Sequence, residues 1–83
     1  SLIGEAVNIE AGAIIANYRN ELDGADIKIR HENQVIETGV SKFGALVGDG
    51  CKIGANAVIA PGALLRPHTR VPRLGLIDQF AYE

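Results

Sequence analysis

The sequence predicts an all-β chain wound as a parallel β-helix, and two observations carry that prediction. From Val47 onward an aliphatic residue returns at every sixth position, through Ile53, Ile59, Leu65, Val71 and Ile77. The fourth residue after each of the first five is small: Cys51, Ala57, Ala63, Thr69 and Gly75. Helices return apolar residues at spacings of three and four and flat strands at two, so a period of six describes a short strand and a turn repeated as one unit. One large and one small inward side chain per unit fill a narrow coil without voids.

The chain opens in the same pattern. Ile3, Ile9 and Ile15 are six apart, with Val7 and Ala13 in the small slots. Arg19 then stands where a small inward residue belongs, and a buried unpaired guanidinium costs several kcal/mol, so the chain is expected to leave the coil there. Phase agrees, because the 32 residues from Ile15 to Val47 are not a multiple of six. Between them, residues 25–30 alternate apolar and polar at strand period, and residues 34–38 can pair back across His31, Glu32 and Asn33 as a β-hairpin. An isolated hairpin is marginal in water, so the arm is expected to lie on a surface, its own or a neighbour's. The expected organisation is one domain with coils at about 3–20, 47–64 and 65–82 and an excursion at about 21–46. Residues 41–46 fit either an irregular hexad or a return loop.

Composition bounds the function. A chain of 83 residues makes one domain with a small core. Aromatics are 5% and Trp and Met are absent, which suits a solenoid interior of medium and small side chains. Residues 1–40 hold three Lys/Arg against seven Asp/Glu and residues 41–83 five against three, with a net charge of −2. No strongly basic stripe with interleaved aromatics appears, so no nucleic-acid partner is expected. No apolar run approaches the roughly 20 residues that span a bilayer, and no signal peptide opens the chain, so the expectation is a cytoplasmic protein without a membrane partner. Cys51 lacks a second cysteine and fills an inward slot as a small hydrophobe. Zinc-type Cys/His spacing, a Gly-Lys-Ser/Thr phosphate loop and a serine-hydrolase elbow are all missing, and no metal is expected.

At residues 3–12, at Asn17-Tyr18, and at residues 42–49 with the hexads that follow, the sequence resembles the hexapeptide-repeat acyltransferases. The likeness is close in kind to the acetyltransferase domain of bifunctional N-acetylglucosamine-1-phosphate uridyltransferases and their sugar-phosphate relatives. That resemblance implies a left-handed helix with three hexads per turn, a homotrimer, and acyl transfer from acetyl-CoA or another acyl-CoA to a sugar phosphate or nucleotide sugar. By the same resemblance, Asn8 and Lys42 match sugar-contacting positions, Asn17 and Tyr18 the pair beside the acetyl group, and Ala11, Ala55 and Arg73 positions along the cofactor cleft. Asn suits a sugar hydroxyl as donor and acceptor, and Lys can meet a phosphate.

Each candidate also has a plain structural reading. Asn8 reads as a hexad corner, where Asn is favoured for its backbone. Asn17 and Tyr18 could anchor the arm, Lys42 could be solvated, and Lys52 reads as a solvated corner residue. Arg66, Arg70 and Arg73 form a basic cluster on the final coil, either solvated or facing an anionic cofactor. The family's catalytic histidine lies on an upstream coil that this chain does not contain, and His31 and His68 are poor replacements, so the catalytic residue is unknown. Two function classes follow. One is a C-terminal part of a longer sugar acyltransferase; the other is a non-catalytic trimerising β-helix module of a sugar nucleotidyltransferase.

Overall fold

The computed structural model describes residues 1–22 and 25–79. Residues 23–24 of the expected excursion and the end of the expected last coil, 80–82, lie outside the described residues. Three strands of two residues each make one coil: β1 (Leu2–Ile3), β2 (Asn8–Ile9) and β3 (Ile14–Ile15). A hairpin follows, β4 (Lys28–His31) and β5 (Gln34–Glu37). Then come a second coil, β6 (Leu46–Val47), β7 (Lys52–Ile53) and β8 (Val58–Ile59), and a third, β9 (Leu64–Leu65), β10 (Arg70–Val71) and β11 (Leu76–Ile77).

Corresponding strands of successive coils stack in parallel into three sheets, which we call faces A (β1-β6-β9), B (β2-β7-β10) and C (β3-β8-β11). The fold is a left-handed parallel β-helix. The second coil is the middle layer of every sheet. Backbone N–H groups bond along the axis to the next coil, as in Gly4 N to Val47 O (2.8 Å) and Gly54 N to Val71 O (2.8 Å). Register runs Ile3-Val47-Leu65, Ile9-Ile53-Val71 and Ile15-Ile59-Ile77. Coils two and three are offset by 18 residues and coils one and two by 44, so the excursion inserts 26 residues between otherwise aligned layers.

The period of six has a visible cause in the corners. Three residues after seven of the inward aliphatics the backbone turns left-handed, at Ala6, Gly12, Gly50, Asn56, Gly62, His68 and Leu74. Glycine and Asn hold that conformation readily and Leu does not. The core is the inward set of the middle coil with its neighbours: Val47, Cys51, Ile53, Ala57, Ile59, Ala63, Leu65 and Val71 are all buried. Each fully buried aliphatic of this size contributes about 1.5–3 kcal/mol. Ile3 and Ile9, inward on the first coil, remain 45% and 42% exposed because no layer covers that end.

The chain leaves the coil at Arg19 as expected, and the guanidinium is buried there with partners. It donates to Asp78 at 2.7 and 3.4 Å and to Glu21 at 3.2 Å, fastening the exit of the first coil to the end of the third. The Asp78 hydrogen bond holds the guanidinium pKa above its ordinary value.

The excursion folds back on its own coils. Ile27 and Ile29 are buried while Val35 and Ile36 are exposed, and β4 lies against β9. Gly62 permits this approach, because a Cβ there would meet the Lys28 carbonyl and Ile27 Cγ2. The turn is two residues, Glu32 and Asn33, both at positive φ as a tight hairpin requires. His31 is therefore the last residue of β4, paired with Gln34. Residues 41–45 return as a loop, and its end is already in phase: Ala45 is fully buried in an inward small slot.

Candidate functional site

The coil's departure and return meet at a neck. Tyr18 and Lys42 form an antiparallel bridge, and Phe43 N donates to Asn17 O at 2.8 Å. Asn17, Tyr18 and Lys42 thus stand together at the corner between faces C and A, with their side chains exposed. Twenty-three residues separate Asn17 and Tyr18 from Lys42, and only the excursion's closure brings them together.

A second group forms at the corner between faces B and C. Asn56 N bonds Ala11 O (3.2 Å) and Leu74 N bonds Ala55 O (2.9 Å), so Ala11, Ala55 and Arg73 occupy equivalent positions of the three coils. Two methyl side chains and one guanidinium line a column along the axis. The coils approach closely beside it, since a Cβ on Gly54 would lie 2.5 Å from Arg73 N. The two groups do not meet within one chain; face C separates them.

Asn8 does not sit at a corner. It lies in β2 on the outside of face B, in register with Lys52 of β7, which is in register with Arg70 of β10. Lys52 is likewise a strand residue, not a corner one, because the corner of its hexad is Asn56. An open groove of about 410 Å³ runs along this face, lined by Asn8, Lys52 and Arg70 and bounded by Glu10 and Arg73. The basic cluster expected on the final coil divides: Arg70 and Arg73 line this groove, whereas Arg66 lines another of about 400 Å³ on face A.

Glu10 clips three coils together. Its carboxylate accepts from Ala55 N at 3.0 Å and from Arg73 Nε and Nη2 at 3.4 Å. The Arg73 hydrogen bond, then that from Ala55 and the Arg73 charge, hold its pKa below the ordinary 4.5. A carboxylate depressed in the folded state adds stability that is fully present above the unfolded value and is lost as pH falls through the folded one. Chemical denaturation across pH is therefore expected to show Glu10→Gln less stable than the parent at pH 7, with the gap closing below about pH 4.5. A gap unchanged at pH 3 would show that the clip does not depend on ionisation.

Outward residues sort the faces sharply. Face A presents Leu2, Leu46 and Leu64, face C presents Ile14, Val58 and Leu76, and face B presents Asn8, Lys52 and Arg70. Leu2, Ile14 and Leu76 are 70%, 55% and 67% exposed. Two faces of the prism are apolar and the third is cationic. These ladders went unread in the sequence, although the residue before each inward aliphatic carries the signal: Leu, Lys, Val, then Leu, Arg, Leu, at a period of eighteen.

Neither histidine joins the neck. His31 borders the face A groove, with Nε2 3.9 Å from Glu32 Oε2. His68 holds a left-handed corner, its N–H bonded to Asp49 O at 2.8 Å. No helix among the described residues is long and apolar enough to cross a membrane.

No family model matches the chain. It is 35% identical over 71 residues to a bifunctional sugar-1-phosphate nucleotidylyltransferase/acetyltransferase of Sulfurisphaera tokodaii, a span of 86% of this chain and 17% of that protein. It is also 30% identical over 64 residues to the uncharacterized acetyltransferase YaiX of Escherichia coli, covering 76% of this chain and 28% of the relative. The chain therefore spans less than a third of the length of the curated relatives it matches. In fold and over most of its sequence, the chain resembles the hexapeptide-repeat acyltransferases.

Proposed function

We propose that this domain is part of a cytoplasmic, homotrimeric sugar acyltransferase, taking the acyl group of an acyl-CoA and delivering it to a sugar phosphate or nucleotide sugar. The observation that carries the reading is the aligned column of Ala11, Ala55 and Arg73. In this reading the methyl groups of the two alanines flank the pantetheine arm at the coil edge, and the Arg73 guanidinium, which Glu10 holds at 3.4 Å, stands at its phosphate end. The names of the relatives supply the direction, since each is an acetyltransferase and one also handles a sugar-1-phosphate.

In this reading Asn17 and Tyr18 hold the acyl end through amide and hydroxyl hydrogen bonds, and Asn8 and Lys42 meet the sugar and its phosphate. Those residues lie on different edges of one chain, so one site needs edges from adjacent copies. The exposed apolar faces A and C are what supports self-assembly. A ring of identical subunits uses two different surfaces of each, and an apolar face A against an apolar face C leaves the cationic face B in water. His31 and His68 both stand apart from the neck, so in this reading neither is the base that deprotonates the acceptor.

The test is sedimentation of the protein followed by calorimetric titration with acetyl-CoA. A trimer that binds the donor, with binding lost in Arg73→Ala and weakened by salt, is the expected result. A trimer that binds no donor at millimolar concentration would replace this reading with a non-catalytic trimerising module. A folded monomer would overturn the assembly.

A further inference from the structure

Cross-strand neighbours on a sheet face are about 4.8 Å apart, and like charges placed there oppose each other. Lys52 and Arg70 are such neighbours, both exposed on face B. Among the described residues no carboxylate pairs with either side chain, although Glu10 stands in the same groove and pairs with Arg73 instead. The chain carries a net charge of −2, so uncompensated cations side by side are not a consequence of general basicity. Asn8 continues the row at the same spacing on the first coil and adds an amide that can donate to a neighbouring oxygen.

We propose that the row Asn8, Lys52 and Arg70 binds a diphosphate, the linkage that coenzyme A and nucleotide sugars share. The row offers ammonium, guanidinium and amide donors in a line of about 10 Å, set by the strand spacing. A single tetrahedral anion reaches two of these groups, whereas two linked phosphoryl groups reach all three. Glu10 bounds the groove at the Arg73 edge and is paired with that guanidinium, so Lys52 and Arg70 are the open cations of the groove. The charge repulsion between the two cations is relieved only when the anion is bound, so binding and stability oppose each other at this row. The site rests on the acyltransferase reading only for which molecule carries the diphosphate.

Inorganic pyrophosphate is the primary probe, titrated calorimetrically at low and high salt against the protein and its Lys52→Ala, Arg70→Ala and doubly substituted forms. Affinity is expected to fall about tenfold for each single variant, as for loss of one charged hydrogen bond, and to weaken with salt. Sulfate should bind less tightly than pyrophosphate. Arg70→Ala should melt at the same temperature as the parent or higher. Coenzyme A and a uridine diphosphate sugar, titrated in parallel, identify the source, as whichever loses affinity in the double variant is the one held here. Equal binding of pyrophosphate by parent and double variant overturns the site, as does a lower melting temperature for Arg70→Ala, which would make its role structural. Pyrophosphate binding that survives a failure of acyl transfer supports the site and removes only the acyl-donor reading.

Discussion

Ile53→Asp is expected to leave the chain without a cooperative thermal transition, whereas Ile9→Asp, one layer away in the same inward column, should still fold. Ile53 is 1% exposed and packed between coils, while Ile9 is 42% exposed on the uncovered end. An ionised carboxylate at position 53 would have neither water nor a partner, and the folded state accepts that only at a cost of several kcal/mol on top of the lost aliphatic burial. Domains of this size hold a margin of roughly 0.05–0.15 kcal/mol per residue, so the loss at the middle layer is comparable to the whole. At position 9 the carboxylate stays partly hydrated. Circular dichroism and melting of the two variants make the comparison, and equal melting would mean that the middle coil is not the enclosed layer.

The same contrast explains how much of this molecule could be read in advance. Inward positions are legible because every one obeys the same constraint, a fixed volume inside a narrow tube, and so they repeat at six. That repeat carried the fold class. Arg19 breaks it, and the break is legible where the partner is not, because Asp78 lies 59 residues away and no local pattern announces the pair. Likewise Asn17, Tyr18 and Lys42 share a neck only through the closure of the excursion, which periodicity cannot specify.

Outward positions were misread for a different reason. Lys52 and Asn8 look like corner residues if only the period of six is followed, since polar residues crowd the corners. Three hexads make a turn, so outward residues align at a period of eighteen, and on that count Lys52 stands over Arg70. Hydration imposes no fixed composition on an exposed face. A face that is uniformly apolar or uncompensated in charge therefore departs from solvation alone, and here all three do.

Asp78→Ala is expected to be the most damaging substitution outside the core. Arg19 and Asp78 have side chains only 9% and 14% exposed, and truncating the carboxylate leaves the guanidinium in that setting with Glu21 at 3.2 Å. Removing one member of a buried ion pair commonly costs about 3–5 kcal/mol, and the remaining Glu21 contact, itself partly hydrated, brings the expectation to about 2–3 kcal/mol. In a domain of this size that lowers the melting temperature by roughly 10 °C or more. The consequence reaches the candidate site, because Arg19 directly follows Asn17 and Tyr18, and a loosened Arg19 releases the strand segment that bridges Lys42. Replacing both members, Arg19→Met with Asp78→Ala, removes the stranded charge and should restore most of the stability. Amide exchange at Phe43, whose N–H is bonded to Asn17 O, reports the neck itself. Fast exchange in Asp78→Ala and slow exchange in the double variant is the expected pair of results, and a double variant no more stable than the single one would show that Asp78 acts through a contact other than Arg19.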